Sequence, residues 1–290
     1  MFSRRQFLTG LAGLAMSGAS VAKSKINARY QAHIRIGIYP GELENGALYA
    51  TIVGNYEPFI DHLRANGFQD MTYLIETAKA AWPQHLVRES YDFVYLPPQM
   101  AVTARQLGYT PLARSETSIQ PVFACNESSK LHSISDLAGA KARVLVKEDT
   151  VGALVAKYTL MKSGVIEKVS LLDAGSVDQN WLPEAAKQGL TDVVAIQNGI
   201  DFKQAGLRAI HECPSLPGFV WLAGRKVGPE AVEMFQRSLS NFNSGAKGME
   251  SAGIALGVGT KGFSPLTDAD IAHIRTIVYS GVERFKATRV

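Results

Sequence analysis

The chain has 290 residues, of which 46% are hydrophobic, and it contains two cysteines. Its formal net charge of +4 is too small for a protein that neutralises a nucleic-acid backbone, so we expect no nucleic-acid partner. This length and composition predict a well-buried globular protein with two domains of ordinary size.

The first 22 residues predict an export signal. Residues 3–8, SRRQFL, form a twin-arginine pattern, and small residues end at Ala22. The apolar run from Phe7 to Met16 is far shorter than the roughly 20 residues that span a membrane. We therefore expect cleavage near Ala22 and a mature chain in the periplasm, without a lipid-anchoring cysteine at the cleavage site.

Short apolar strands then alternate with helical patterns. Strands are predicted at 33–40, 71–75 and 91–96, and helices from Tyr56, Gln84 and Met100. This alternation predicts a parallel α/β sheet. The extended stretch 112–126 is long for a connection inside one compact unit, so we interpret it as a crossing to a second domain.

The alternation resumes after the crossing. The predicted elements are a short helix at 135–139, strands at 144–146, 169–172, 193–196 and 219–223, and helices at 151–162, 182–188, 230–241 and 268–286. Residues 207–218 predict the return crossing. We expect lobe one to contain 33–114 and 213–290, lobe two to contain 115–212, and ligand binding to close them about the two crossings.

No catalytic or metal-binding motif is present. The sequence lacks GxGxxG, P-loop, CxxC, HExxH and GxSxG patterns, and its six histidines have no ligand spacing. No pair of Asp and Glu residues can be assigned as general acid and base. The sequence thus predicts no enzyme, no cofactor and no metal, but a protein that binds a ligand at the carboxyl ends of its strands.

The stretch 143–164 is the strongest candidate for ligand contact. It predicts a strand, a polar turn and a helix, and a helix N-terminus attracts anions. Asp149 or Thr150 can serve as the N-cap, and simple capping is the alternative interpretation of this turn.

The predicted binding residues lie at strand ends and helix starts that face the proposed cleft. Core packing is the alternative for the aromatic residues, which would form the lobe-one wall, and turn chemistry is the alternative for the others. The set is Tyr39, Tyr56, Trp82, Tyr95, Pro97, Asp149, Thr150, Val151, Gly152, Ser176, Asp178 and Asn198.

Seven segments resemble, in order, the periplasmic solute-binding proteins of phosphate, phosphite and phosphonate ABC transporters. They are IRIGIYP, NYEPFIDHLRANG, YDFVYLPP, SISDLAGAKARV, KEDTVGALVAKYTLMKSGV, DAGSVDQN and GFSPLTDADIAHIR. The resemblance implies a two-lobed type II periplasmic binding protein fold, with two mixed sheets flanked by helices and a ligand cleft between lobes. It also implies a monomer that delivers a small molecule or an oxyanion to a membrane permease.

Two departures from this family affect the expected ligand. The family's Ser-Thr-Ser-Gly run is replaced by residues 149–152, DTVG, and its Gly-Ser-His-Asp run by residues 175–178, GSVD. Asp149 adds a negative charge where a phosphonate would lie. We therefore expect a neutral, cationic or weakly charged ligand in preference to a phosphonate dianion.

The alternative function is a periplasmic sensor that presents a ligand-dependent surface to a membrane histidine kinase. Arsenite-sensing relatives use a cysteine, which keeps a ligand role open for Cys125. Cys125 and Cys213 each lie on or beside a predicted crossing, so a disulfide at the hinge also stays open, as does a pair of inert buried thiols.

Overall fold

A computed structural model describes residues 33–40, 49–148, 150–175, 181–197, 201–256 and 262–289. The first of its two sheets has six strands in the order β11-β4-β10-β3-β1-β2. These strands are β1 (Ile34–Ile38), β2 (Met71–Ile75), β3 (Phe93–Leu96), β4 (Thr110–Ser115), β10 (Val220–Ala223) and β11 (Phe263–Pro265). β1 is parallel to β2 and β3, whereas β10 is antiparallel to β3 and β4.

The second sheet has the same mixed character. Its six strands are β5 (Pro121–Asn126), β6 (Arg143–Val146), β7 (Ser170–Asp173), β8 (Val193–Gln197), β9 (Leu207–Glu212) and β12 (Thr288–Arg289). Their order is β12-β7-β6-β8-β5-β9. β6 is parallel to β7 and β8, and β5 is antiparallel to β8 and β9. The expectation of two mixed sheets flanked by helices is confirmed.

Nine α-helices occur in the described part of the chain. They are α1 (Tyr49–Ala65), α2 (Trp82–Arg88), α3 (Pro98–Gln106), α4 (Asp136–Ala140), α5 (Val151–Lys162), α6 (Leu182–Lys187), α7 (Pro229–Asn241), α8 (Glu250–Ala255) and α9 (Asp268–Val278). None of these helices has the length and apolar character that a membrane span requires.

The last helix begins as predicted but is shorter than predicted. Thr267 and Asp270 form a capping box at its start, with the Thr267 hydroxyl accepting from the Asp270 N–H. The helix ends at Val278 rather than continuing to residue 286. The physical reason is Gly281, which adopts a left-handed conformation at φ 81° and is followed by a separate 3-10 turn at Val282–Arg284.

The two predicted crossings run side by side. The predicted extended stretch 112–126 is two strands in different sheets, β4 and β5, joined by residues 116–120. Residues 213–219 return from β9 to β10. The N–H of Ile119 and the N–H of Leu216 each donate to the other residue's carbonyl oxygen at 2.8 Å. The crossings therefore form a hydrogen-bonded ribbon between the sheets, which we call the crossing ribbon (116–120 and 213–219).

The chain crosses once more near its end. Residues 213–290 were expected in lobe one, but β12 pairs with β7 in the second sheet, with Thr288 opposite Leu172. A two-residue strand has too few positions for an alternating pattern, so this return could not be recognised in the sequence. The division of the chain into lobes stays a prediction.

An arginine–aspartate clamp occurs at the same place in both sheets. The N–H of Arg35 donates to Asp92 Oδ2 at 2.8 Å, and the Arg35 side chain donates to both Asp92 carboxylate oxygens. Arg143 and Asp192 repeat this arrangement, with a backbone N–H to Oδ2 distance of 2.7 Å. Each clamp joins the amino ends of two parallel neighbours, β1 with β3 and β6 with β8. It thereby fixes the register of the two strands, and with it the relative position of their carboxyl ends.

The hydrophobic core is continuous between the sheets. One cluster of buried residues includes Leu96 of the first sheet, Val146 of the second and Ile274 of α9. α9 contacts both α3 and α5, the helices that follow β3 and β6. The carboxyl ends of the two central strands are therefore held close to one another.

Candidate functional site

A cavity of about 230 Å³ lies where the carboxyl ends of the two sheets meet. We call it the junction cavity. Residues that follow β2 and β3 line it from the first sheet, and residues that follow β6 line it from the second. Val278, Glu283 and Lys286, near the end of the chain, line another side. The lining residues are Lys79, Gln99, Glu148, Thr150, Ala153, Leu154, Lys157, Val278, Glu283 and Lys286.

Thr150 caps the helix that enters the cavity wall. Its Oγ1 accepts from the N–H of Ala153 at 3.1 Å and donates to the carbonyl oxygen of Lys147 at 2.7 Å. The sequence left the N-cap open between Asp149 and Thr150, and the structure assigns it to Thr150. The single donor hydrogen of this hydroxyl is therefore used within the protein, as is one of its acceptor positions.

A buried ion pair lies beside the cap. The Lys157 ammonium donates to Glu148 Oε1, and only 5% of the Lys157 side chain and 17% of the Glu148 side chain are exposed. The backbone N–H of Glu148 donates to Asp173 Oδ1 at 3.0 Å, which ties the loop after β6 to the end of β7. The positions of both charges are thus set by α5 and two adjacent strands.

Two acceptor oxygens in the wall lack a hydrogen-bond partner among the described residues. They are Gln99 Oε1 and Glu148 Oε2, and both are buried. A buried acceptor without a donor costs about 1–3 kcal/mol, so native proteins rarely leave one unmatched. These two atoms favour a bound molecule that carries hydrogen-bond donors.

Sequence reasoning missed Gln99, Glu148 and Lys157. For Lys157 a signal existed, because α5 buries residues on several faces, including Val151, Val155 and Leu160. A lysine inside such a helix needs a partner of opposite charge. Nothing in the local sequence identified that partner as Glu148, nor placed Gln99 across the cavity.

The four aromatic residues predicted for the lobe-one wall are at most 3% exposed. The Tyr56 hydroxyl donates to the Ala255 carbonyl oxygen at 2.9 Å, and the Tyr95 hydroxyl donates to that of Leu256. Burial raises the pKa of both hydroxyl groups, that of Tyr95 well above its ordinary value. None of the four lines the junction cavity.

Tyr39 and Trp82 pack against each other. Their rings meet edge to face with centroids 6.2 Å apart, and Trp82 Nε1 donates to the Glu76 carbonyl at 3.1 Å. A ligand contact for these two residues, and for Tyr56 and Tyr95, stays a prediction.

The remaining predicted residues divide into two groups. Pro97 precedes α3 as its N-cap residue, Val151 is buried, and Gly152 lies next to Thr150 at the start of α5. The other four lie outside the described residues: Asp149, Ser176, Asp178 and Asn198. Of the whole predicted set, Thr150 is the described residue that lines the junction cavity.

Both cysteines are free thiols buried in the core. Cys125 lies on β5 opposite Arg208, whereas the N–H of Cys213 donates to the carbonyl of Pro121, four residues earlier on the same strand. Four strand residues span about 13 Å, and a disulfide requires Cα atoms within about 7 Å. The disulfide alternative is therefore wrong, and the inert buried thiols agree with the structure.

The chain matches one protein family by sequence and several solved structures by fold. Residues 49–271 match the family model for the ABC transporter, phosphonate, periplasmic substrate-binding protein. XAC2383 from Xanthomonas citri, bound to ATP, superposes with a TM-score of 0.63 at 19% identity, over 88% of this chain and 98% of that chain. No curated protein matches the sequence.

Two further solved structures have the same fold. PhnD1 from Prochlorococcus marinus, in complex with methylphosphonate, gives a TM-score of 0.62 at 18% identity, over 84% of this chain and 96% of that chain. The periplasmic aliphatic sulphonate binding protein SsuA from Escherichia coli gives 0.57 at 14% identity, over 87% of each chain.

Proposed function

The chain belongs to the family of periplasmic substrate-binding proteins of phosphonate ABC transporters, and we propose that it captures a small molecule or an oxyanion in the junction cavity. The loaded protein would then deliver its ligand to the membrane permease of an ABC transporter. The proposal includes a monomer, a periplasmic location and export by the twin-arginine route through residues 1–22.

The observation that carries this proposal is the composition of the cavity wall. Gln99 follows β3 of the first sheet, whereas Thr150 and Lys157 follow β6 of the second. A ligand that touches all three joins the two halves of the molecule, and the crossing ribbon is the natural axis for their closure. Ligand-dependent closure is what a permease can recognise.

The chemistry of the wall favours a weakly charged acid over a phosphonate dianion. The Thr150 hydroxyl donates to Lys147 O, so it has no proton left for a ligand oxygen. Val151, the next residue, is apolar and buried. The named complexes with methylphosphonate and the aliphatic sulphonate binding protein support compact acids as the class to test.

The sensor alternative loses its specific support. Its arsenite version depends on Cys125, and this thiol is fully buried, with Sγ directed at the Leu131 carbonyl at 3.6 Å. It does not line the junction cavity. We therefore give the transport function precedence.

The test is a thermal-shift screen of the purified mature chain over phosphonates, sulfonates, oxyanions and small organic acids. A ligand at about 100 times its dissociation constant stabilises the folded state by roughly 2.7 kcal/mol. Each ligand found is then examined by calorimetry and small-angle X-ray scattering, and we expect a smaller radius of gyration on binding. A screen without any stabilising compound would contradict the proposal.

A further inference from the structure

The junction cavity presents acceptors from both halves of the molecule. Gln99 Oε1 comes from the start of α3, on the first sheet, and Glu148 Oε2 from the loop after β6, on the second. Both atoms are buried, and neither has a hydrogen-bond partner among the described residues. A ligand group that carries a donor hydrogen can match one of these oxygens, and the other requires a second donor.

The charges of the wall decide which donor fits. The other oxygen of Glu148 is already paired with Lys157, so the carboxylate is neutralised on one side. Three lysines, 79, 157 and 286, face the cavity together with two glutamates, 148 and 283. An ammonium group near Glu148 Oε2 would lie next to the Lys157 ammonium, and like charges repel strongly where water is excluded.

A hydroxyl group avoids this repulsion. It has one donor hydrogen and two acceptor lone pairs, so it can donate to Glu148 Oε2 and at the same time accept from the Gln99 side-chain amide. Among the described lining residues, lysines outnumber glutamates by three to two, which suits an acidic group elsewhere on the ligand. A methyl group of equal size could make neither of these hydrogen bonds, which a polar site penalises strongly.

We propose that the ligand of the junction cavity is a small acid with a neutral hydroxyl group that hydrogen-bonds to Gln99 and Glu148. This inference rests on the proposed function, because it assumes that the cavity is the binding site. It specifies the hydroxyl group at the end of the ligand remote from the acid, and it applies to a sulfonate, a phosphonate or a carboxylate alike.

The test uses three sets of acids that differ only at the far end. They are ethanesulfonate, taurine and isethionate; ethylphosphonate, 2-aminoethylphosphonate and 2-hydroxyethylphosphonate; and propionate, β-alanine and 3-hydroxypropionate. Calorimetry with the mature chain should give the hydroxyl member of at least one set an affinity at least about tenfold above its methyl and amino counterparts.

Two variants locate the effect. Gln99→Leu should reduce the affinity for the hydroxyl compound about tenfold and leave that for the methyl compound unchanged or higher, which also shows that the variant is folded. Gln106→Leu is the matched control, because it makes the same change at an exposed position of the same helix. It should leave all affinities unchanged.

The outcomes separate the two proposals. Equal affinities for the three members of every set that binds, or tightest binding of the amino member in every such set, would overturn the hydroxyl inference and retain the binding function. An undiminished preference in Gln99→Leu would also overturn it. Failure of all nine acids to bind would overturn both the hydroxyl inference and the choice of acids in the proposed function.

Discussion

Lys157 and Glu148 form an ion pair in which neither side chain is more than 17% exposed. The pair joins the middle of α5 to the loop after β6, and thus fixes the position of one wall of the junction cavity. Removal of one partner would leave a charge with little access to water.

We expect Lys157→Met to lower the free energy of unfolding by about 3 kcal/mol, because Glu148 loses its counter-charge in a buried site. The double variant Lys157→Met with Glu148→Gln should recover much of this loss, since no unpaired charge remains. Urea denaturation measures both. Lys162→Met, at an exposed position of the same helix, is the control and should cost less than about 0.5 kcal/mol. A double variant as unstable as the single one would refute this account.

The clamp between Arg143 and Asp192 predicts a dependence of stability on pH. Hydrogen bonds from the Arg143 side chain lower the pKa of Asp192 below its ordinary value of 3.8, against the opposing effect of burial. The ionised Asp192 carboxylate therefore contributes fully to the free energy of unfolding above pH 3.8. This contribution is lost as the pH falls through the lower pKa that Asp192 has in the folded state.

Asp192→Asn should accordingly lower the free energy of unfolding by about 1 kcal/mol at pH 7. The effect is no larger because the carboxylate is 40% exposed and solvent screens its charge. The difference from the wild type should shrink towards pH 3. Urea denaturation at pH 7, 5 and 3 measures it, with the exposed Asp61→Asn as the control. An equal difference at all three pH values would count against the clamp.

Gly218 permits the close approach of the two chain segments within the crossing ribbon. A methyl group on its Cα would lie less than 3.0 Å from both the Ser115 hydroxyl oxygen and the Thr117 carbonyl oxygen. Gly218→Ala should lower the free energy of unfolding by at least about 2 kcal/mol, because a backbone atom must shift. Gly139→Ala in α4, where nothing lies within 4 Å of the new methyl group, should instead be neutral or stabilise by up to about 1 kcal/mol. Thermal denaturation of the two variants gives the comparison.

The buried thiols should react slowly. Burial raises the pKa of the Cys213 thiol to about 12, although a hydrogen bond with Thr159 acts in the opposite direction. At neutral pH the reactive thiolate of Cys213 is therefore scarce in the folded protein, and Cys125 is buried away from the reagent. Titration with a disulfide reagent should be slow for native protein and should give two thiols per chain after denaturation without reductant. Fewer than two would reveal a disulfide and contradict the structure.

Local sequence patterns predicted the elements that depend on local chemistry. The cap at Thr150 and the capping box at Thr267 lie at predicted helix starts, and the crossings fall where long extended segments interrupted the α/β alternation. These features need only a few neighbouring residues, which is why one sequence suffices to find them.

The missed features depend on distant residues or on very short elements. Gln99 and Glu148 meet at one cavity although 49 positions separate them, and no pattern along the chain relates them. The hydroxyl groups of Tyr56 and Tyr95 bond to carbonyls near residue 255, a partner that the helix and strand patterns of these tyrosines do not reveal. α8 has six residues and β12 has two, too few for a periodic signal.

The position of β10 has a consequence for the order in which the molecule assembles. Strands β5 to β9 come from the single run 121–212, so most of the second sheet can pair without residues outside that run. β10 lies between β3 and β4 but begins at Val220, more than 100 residues after β4 ends. Until it arrives, β3 and β4 have unpaired edges in the middle of their sheet. The second sheet should therefore form before the first. Pulsed hydrogen exchange during refolding should show protection of β5 and β8 before protection of β3 and β4.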